Sequence, residues 1–505
     1  MSALRPVITL LVGYILLAAS AMADDRWLEA DIDTLHEAMQ NGEITAASLL
    51  DMHLQRIQAL DQSLGINAVV QLNPDAREDA VQRDRALVMG EPMGLLHGIP
   101  VIIKDNIDVA GLPTTAGSLA LRNHIPEEDA WLVAKLREAG AVIIGKSNMA
   151  EWAFSPNVTE SSTAGITRNP YNREHTPAGS SGGTGAAVAS LFAVAGIGTD
   201  TGNSIRGPSS HNALVGLRST MGLTSRHGVV PLYLRNDIAG PMARSVADAA
   251  RMLQAIAGPD SRDAVTDRAP APEHRRYVDA LNAEALHGAR LAVMRVYTDE
   301  LDIDPEMAML FETALQDLQD SGAVLIDPFH IPGFSELIQD NWCNTFEADV
   351  NRYLIQQDHA FAFRSLEAVV GSGLYLPSVG NSLRNMLDNA RSTEECGDLY
   401  SNPRNIQFRD AVVSAMASAN IDALVYPTWS FPPRKIGDME SPTGDNSQHI
   451  APHTGLPALT VPMGFTDTGL PAGLSFIGPL FSESRLLGFG FNYEQATGHR
   501  RAPPL

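Results

Sequence analysis

The spacing of apolar and polar residues along the chain predicts an alternation of helices and strands. From Thr45 onward, apolar residues recur at three- and four-residue spacing, which is typical of an amphipathic helix. The stretch 33–42 predicts an earlier helix that starts on a capping box of Thr34 and Glu37. Further helices are predicted at 73–89, 129–139, 245–257 and 304–321.

Continuous apolar runs rich in β-branched residues lie between these helices and predict buried strands. The runs occupy 99–103, 141–144, 289–297 and 323–326, and strand-like runs follow at 423–433, 455–465 and 470–478. An order of helix, turn and strand implies an α/β sheet. The length of 505 residues would allow about three domains. Because no repeat or long linker divides the chain, we expect one large domain spanning 24–505.

The N-terminus predicts a targeting segment. Arg5 precedes an apolar run at 7–23 that ends in small residues, with an Ala-x-Ala site at 21–23. These are the features of a secretory signal peptide, and the run is short for a membrane span. The alternative is an uncleaved anchor. We expect a signal peptide at 1–23, an exported (periplasmic or secreted) protein and no stable membrane span, because no later segment is long and apolar enough to form one.

Composition restricts the partners. The chain carries 59 acidic and 36 basic residues, a net charge of −23. Such a surface repels nucleic acid and anionic membranes, so we expect neither as a partner. The two cysteines, Cys343 and Cys396, show no CxxC pattern, so they predict no metal site. Export permits a disulfide between them, but the sequence leaves the pairing open.

The stretch 177–210 stands out because small residues separate two polar turns. Glycine and alanine between the turns allow close backbone approach. Two serines 24 positions apart can therefore meet in space. The polar residues that we single out lie at the two ends of the stretch: Ser180, Ser181, Asp200, Ser204 and Arg206.

Three kinds of chemistry are possible for this stretch. A phosphate loop would need a lysine and a glycine spacing that 179–185 lacks. A hydrolase elbow would use Ser181 as the nucleophile, but it requires an apolar strand beforehand, and 169–178 is polar. The third is a relay of two serines and a lysine, in which the lysine is the base that a weak serine nucleophile needs. Lys104, behind an apolar strand, is the candidate.

Lys104 itself allows two interpretations. Taken alone, a lysine that ends an apolar strand is expected to reach the surface and place its amine in water, with Asp105 and Asn106 as turn residues. A role as a base requires the opposite, because only burial keeps a lysine neutral. The glycine-containing turn 201–204 could then aim successive N–H groups at a developing oxyanion.

Several motifs in order, covering about residues 30 to 495, resemble the amidase signature family. They are 98-GIPVIIKDN-106, 115-TAGS-118, 145-GKSNMAEWA-153, 177-PAGSSGGTGAA-187, 198-GTDTGNSIRGPSS-210, 240-GPMARSVADAA-250, 454-TGLPALTVPMG-464 and 471-PAGLSFIG-478. Within the family, 72-LNPDA-76, 117-GSLAL-121 and 239-AGPMARSVADAA-250 look most similar to bacterial peptide amidases. The resemblance implies the α/β amidase signature fold, with a large mixed central β-sheet covered by helices on both faces.

The resemblance also implies a mechanism. Ser204 matches the nucleophile, Ser180 the bridging serine held by a cis peptide bond, and Lys104 the base. Neutral Lys104 would take a proton from Ser180, which takes one from Ser204, and an acyl-enzyme would form and then be hydrolysed. This chemistry requires no metal and no organic cofactor.

The remaining site residues take supporting roles in the family. Ser181 matches a supporting hydrogen-bonding serine, and Asp200 and Arg206 match an ion pair that steadies the turn. The backbone N–H groups that match the oxyanion hole belong to Thr201, Gly202, Asn203 and Ser204.

The sequence departs from the family pattern in two places. Where the family usually has Gly-Gly-Ser, this chain has Gly202-Asn203-Ser204. Asparagine is the residue other than glycine that most readily adopts positive φ, so the turn can survive, but its side chain could narrow the acyl pocket or add a donor. The second departure, 216-GLRST-220 in place of Gly-Leu-Lys-Pro-Thr, we interpret as structural.

The function that the resemblance implies is hydrolysis of carboxamide C–N bonds, with C-terminal amides of peptides or amino acids as the preferred substrates. The alternatives are an aryl- or acyl-amide (anilide) hydrolase, a catalytically inactive binding protein, and a glutaminase-type amidotransferase subunit. We expect the substrate to be shaped by 330–450, the region with the fewest motifs. The sequence does not determine the oligomeric state.

Overall fold

The structure is a computed structural model that describes residues 26–299, 302–357 and 361–505. The predicted signal segment at 1–23 lies outside the described residues. In the part that the structure describes, no helix has both the length and the apolar character needed to cross a membrane.

One mixed sheet forms the centre of the molecule. Within the described residues it has eleven strands in the order β1-β3-β2-β6-β8-β7-β12-β13-β11-β9-β10, and β4 and β5 form a separate pair. The strands are β1 Val69–Leu72, β2 Pro100–Lys104, β3 Val142–Ser147, β4 Glu160–Ser161, β5 Gly165–Ile166, β6 Ala195–Asp200, β7 Val215–Arg218, β8 Ile238–Ala243, β9 Arg290–Val293, β10 Val324–Ile326, β11 Ala423–Pro427, β12 Ala458–Phe465 and β13 Pro471–Ile477.

Helices cover both faces of this sheet. Successive side chains of a strand point to opposite faces, and neighbours on β11 belong to different cores: Val425 packs in one apolar cluster and Leu424 in another. The helices are α1 Ile32–Gln40, α2 Ala46–Leu60, α3 Ala76–Val88, α4 Trp131–Glu138, α5 Gly182–Ala189, α6 Arg206–His211, α7 Val246–Ile256, α8 Pro305–Asp320, α9 Phe334–Leu337, α10 Phe346–Gln356, α11 Leu366–Ser372, α12 Pro377–Asp388, α13 Thr393–Cys396, α14 Pro403–Ser418, α15 Ala451–Thr454 and α16 Glu483–Thr497. The predicted fold class is confirmed.

Element boundaries differ from the predictions mainly where side chains cap helices. Helix α1 starts one residue before the predicted stretch, and its cap is Asp31, whose carboxylate accepts from the Thr34 N–H, so the predicted capping box is wrong. Helix α2 has the capping box instead, on Thr45 and Ser48. Strand β1, which is short and half exposed at the edge of the sheet, was not predicted.

The order of the central strands positions the site. Strand β2 runs parallel to β6, and β6 pairs antiparallel with β8. The carboxyl ends of β2 and β6 therefore lie side by side, which brings Lys104 and Asp200 to the same edge although 96 positions separate them in sequence. The turn after β6 leads into α6.

The helical region α10–α12 packs over this edge through a third apolar cluster. Phe346 and Val350 of α10 and Leu383 of α12 join Trp152, which follows β3 in the chain, in that cluster. A disulfide between Cys343 and Cys396 joins the segment before α10 to the end of α13. The pairing that the sequence left open is therefore formed in the structure.

Candidate active site

Lys104 is the last residue of β2 and is fully buried, so the expectation that its amine reaches the surface is wrong. Its Nζ donates to Ser180 Oγ at 2.7 Å and to Thr199 Oγ1 at 2.7 Å. Thr199 Oγ1 also accepts from Asn106 Nδ2 at 3.1 Å. Asn106 is thus a buried side chain beside the amine and not a plain turn residue.

Burial changes the chemistry of this amine. It lowers the pKa of Lys104 from 10.5 to about 7, while the negative charges of Asp200 and Asp237 oppose the shift. Near neutral pH a large fraction of the chains therefore hold a neutral amine, which can accept a proton. A lysine in water would be almost entirely protonated at the same pH.

Ser180 and Ser181 occupy the turn that leads into α5, and both are fully buried. The peptide bond between Gly179 and Ser180 is cis. The Ser181 hydroxyl donates to the Thr199 carbonyl at 3.1 Å and accepts from the Thr199 N–H at 3.3 Å. Ser181 therefore joins the turn to β6, while Ser180 contacts the lysine.

Ser204 lies in the turn between β6 and α6, with 5% of its surface exposed. Its hydroxyl donates to Asn203 Oδ1 at 3.2 Å, and among the described residues it forms no hydrogen bond with Ser180. The Asn203 amide in turn donates to the Pro156 carbonyl at 3.4 Å. The structure thus brings Lys104 and Ser180 into direct contact but holds Ser204 on its neighbour.

Asn203 fits the turn without the backbone conformation that we expected to matter. The described residues with positive φ do not include it. Its side chain instead occupies space left by Gly207, where a Cβ would lie 2.7 Å from Asn203 Nδ2. The tolerance of this turn for asparagine therefore rests on the missing side chain at position 207.

Asp200 anchors the turn with two buried arginines. Arg206 Nε donates to Asp200 Oδ2 at 3.0 Å, and Arg218 Nη1 donates to Asp200 Oδ1 at 3.0 Å. Burial alone would raise the pKa of Asp200, but the two guanidiniums outweigh it and lower that pKa. Arg206 also donates to the Gly202 carbonyl at 2.6 Å, which fixes the turn itself.

The turn faces a cavity of about 360 Å³. In the described part of the chain, the N–H groups of Thr201, Gly202, Asn203 and Ser204 have no hydrogen-bond acceptor. Such free donors beside a serine hydroxyl can bind a negative oxygen. The side of the turn is held by the Thr201 hydroxyl, which donates to the buried carboxylate of Asp237 at 2.5 Å.

The cavity has an uncharged wall. The residues that line it are Ala153, Phe154, Pro156, Thr201, Gly202, Asn203, Ser204, Leu232, Tyr233, Trp342, Ser382, Met386 and Gln448. Among these side chains there is no acid, lysine or arginine. Four of them, Trp342, Ser382, Met386 and Gln448, belong to the region 330–450 that we expected to shape the substrate.

The Amidase family model matches residues 48–487. The chain belongs to the amidase family. It is accordingly an enzyme that hydrolyses linear amide C–N bonds, and its mixed sheet with helices is the amidase signature fold.

Two kinds of relative resemble this amidase along nearly its whole length. One subunit of the glutamyl-tRNA(Gln) amidotransferase of Synechococcus sp. (strain CC9902) is 34% identical over 480 residues, which cover 92% of this chain and 96% of the relative. The native peptide amidase from Stenotrophomonas maltophilia is 37% identical in structure-based alignment, covers 94% of this chain and 98% of its own, and has a TM-score of 0.84. The corresponding amidotransferase subunit from Thermotoga maritima is 28% identical, and the match covers 94% of this chain and 98% of that subunit with a TM-score of 0.70.

Sequence reasoning missed three residues of the amidase site. Thr199, which contacts the lysine, lies in a glycine-rich strand with nothing to mark it. Asp237 is buried beside the turn but comes from a distant loop. Arg218, the second partner of Asp200, did carry a signal, because a charged residue that ends an apolar strand requires a partner if it is buried.

Proposed function

We propose that this chain is an exported amidase that cleaves C-terminal amides of peptides through a relay of Lys104, Ser180 and Ser204 and an acyl-enzyme. The observation that carries the proposal is the contact of 2.7 Å between a buried Lys104 amine and Ser180 Oγ. A lysine in this setting can be neutral near pH 7 and can act as a base.

Acylation starts from the neutral amine. The Ser180 hydroxyl passes its proton to Lys104 Nζ and takes the proton of Ser204. For this transfer the Ser204 hydroxyl has to turn away from Asn203 Oδ1, a rotation about one side-chain bond. Ser204 Oγ then forms a bond to the carbonyl carbon of the substrate.

The carbonyl oxygen becomes negative as this bond forms. The free N–H groups of the turn 201–204 are the donors that stabilise it, and Arg206, which donates to the Gly202 carbonyl, keeps them in place. The C–N bond breaks, and the nitrogen leaves as ammonia or amine with a proton returned through Ser180. Water then attacks the ester by the same route, which releases the acid and restores Ser204.

The wall of the cavity supports a neutral substrate. A free amino acid such as glutamine carries an ammonium and a carboxylate, which would lose hydration in this cavity without gaining a charged partner. An amide at the end of a peptide has neither charge beside the reacting carbon. This argument favours a peptide amide over a glutaminase reaction, although several relatives of this chain belong to amidotransferases.

Export is the second part of the proposal. An apolar run ending at 21–23 supports cleavage after residue 23, and the Cys343–Cys396 disulfide suits an oxidising compartment. Mass spectrometry of the chain purified from its host would locate the N-terminus. A chain that retains residues 1–23 in the cytosol would contradict this part.

Activity on a panel of amides tests the first part. Hydrolysis of a peptide amide releases ammonia, and hydrolysis of an anilide releases an arylamine. We expect faster hydrolysis of the peptide amides, and faster hydrolysis of the anilides would support the alternative of an anilide hydrolase. Ser204→Ala and Lys104→Ala should lose at least about 1,000-fold in kcat, as removal of a nucleophile or its base does. Ser181→Ala, the matched control, should retain more activity. Loss with Ser181→Ala but not with Ser204→Ala would overturn the relay.

A further inference from the structure

Trp342 is a partly exposed aromatic side chain at the wall of the cavity. Although 43% of its surface is exposed, it lines the cavity that contains Ser204. Its ring lies 4.4 Å from the His453 ring and 5.9 Å from the Tyr233 ring. A Cβ on Gly202 would lie 3.2 Å from Trp342 Cη2, so the indole rests against the turn that carries the nucleophile.

A covalent link fixes the backbone next to this tryptophan. Trp342 lies in the irregular connection 338–345 between α9 and α10, and the next residue, Cys343, is bonded to the fully buried Cys396 at the end of α13. The Asn341 carbonyl accepts a further bond from Arg235 at 3.3 Å. The backbone on both sides of Trp342 is therefore held to other parts of the fold.

We propose that Trp342 is a specificity-determining residue that contacts a large apolar group on the acyl part of the substrate, and that the Cys343–Cys396 disulfide acts by fixing its indole. The proposal rests on the proposed function, because it takes the cavity to be the substrate site. The exposed indole face, with Phe154 and Met386, offers apolar surface and no charge.

The disulfide would strengthen substrate binding by holding the indole in its binding position before the substrate arrives. Without the link, the connection 338–345 would keep its other contacts but gain freedom at Cys343, so substrate binding would have to order the indole. Ordering one such side chain on binding weakens affinity by about two- to tenfold. A substrate too small to touch the indole would not be affected.

The experiment compares two neutral substrates, N-acetyl-phenylalanine amide and N-acetyl-glycine amide. For the phenylalanine amide, Trp342→Ala should raise KM by about tenfold with little change in kcat. Trp342→Phe should restore most of the affinity, because it keeps an aromatic face. For the glycine amide, all three proteins should have similar KM. Trp131→Phe, on helix α4 outside the cavity, is the matched control.

The role of the disulfide is tested by Cys343→Ser/Cys396→Ser and by reduction of the wild-type protein. Each should raise KM for the phenylalanine amide by about two- to tenfold. Adding both serine substitutions to Trp342→Ala should cause no further change, because the disulfide acts through the indole. The fluorescence of Trp342 itself, obtained as the difference between the wild-type and Trp342→Phe spectra, should also change when the disulfide is reduced.

An unchanged KM in Trp342→Ala would overturn the proposal, as would equal losses for both substrates. If the cysteine changes and Trp342→Ala had additive effects, the link between disulfide and indole would be wrong. These failures differ from failure of the proposed function, in which neither amide would be hydrolysed or Ser204→Ala would remain active. Should the serine variant not fold, the Trp342 variants and the reduced wild type still decide the outcome.

Discussion

The pH dependence of hydrolysis tests the proposed base most directly. Lys104 can accept a proton only when it is neutral, and its pKa lies at about 7. About half of the molecules hold a neutral amine at pH 7, about a tenth at pH 6 and about a hundredth at pH 5. For a substrate without titratable groups, kcat/KM should therefore fall about tenfold per pH unit below 7 and level off above it.

The size of the effect follows from burial. A lysine with the ordinary pKa of 10.5 would be neutral in only about one molecule in 3,000 at pH 7. Lowering the pKa to about 7 thus multiplies the population able to start the reaction by about 1,000 or more. Since Asp200 and Asp237 both favour the charged amine, desolvation produces the net shift in spite of its neighbours.

The assay is ammonia release from N-acetyl-phenylalanine amide between about pH 5 and 9, recorded as kcat/KM so that it reports the free enzyme. Circular dichroism at each pH confirms that the protein stays folded. A kcat/KM that still rises about tenfold per pH unit between pH 8 and 9 would refute the reasoning, because it would mean that the amine has an ordinary pKa. A flat profile would remove Lys104 from the relay.

Four further variants probe the surroundings of the base and the turn. Thr199→Val removes an acceptor of the charged amine, so the midpoint of the pH profile should move to lower pH, with Thr199→Ser as the control. Lys104→Met should raise the free energy of unfolding, measured in urea, by up to about 4 kcal/mol at pH 7. Because the pKa of Lys104 is lower in the folded than in the unfolded protein, this gain persists below pH 7 and vanishes as the pH approaches 10.5. Arg218→Met should destabilise the fold by about 3 kcal/mol, because Asp200 loses one buried partner, and Arg218→Lys should recover part of this. Asn203→Gly should raise kcat/KM by up to about fivefold, since it frees the nucleophile from a hydrogen bond worth about 1 kcal/mol, and a decrease would show that Asn203 aligns the nucleophile instead.

The periodicity of apolar residues was sufficient for most of the fold. Helices α7 and α8 and strands β9 and β10 lie within the stretches that the pattern predicted. The apolar residues of α7, α8 and β9 face a core, so burial and sequence period agree, whereas β10 is an edge strand whose Val324 is exposed. Strand β1 escaped prediction because Gln71 interrupts its short apolar run, and α1 starts earlier because an aspartate outside the apolar pattern caps it.

The site was predictable to the extent that small residues and serines cluster in sequence. The stretch 177–210 could be selected on this basis. Lys104 was a candidate base because it ends an apolar strand, although the same position taken alone predicted an exposed amine, and the structure places it against Ser180. The contacts of Thr199 and Asp237 depend on which strands are neighbours, and periodicity does not contain that information. The direction of the Ser204 hydroxyl depends on a single hydrogen bond with Asn203, and the sequence pattern does not predict that bond.

The arrangement of the three proposed catalytic residues has a physical reason. The base must be buried to be neutral, but the nucleophile must meet a substrate that arrives from solvent. Lys104 and Ser180 are fully buried, whereas Ser204 is slightly exposed at the cavity. A lysine placed directly against Ser204 would share the water of the cavity, and its pKa would rise toward 10.5. In the proposed relay, Ser180 would carry the proton from Ser204 at the cavity to the buried amine, so the amine could stay away from the water that the nucleophile has to meet.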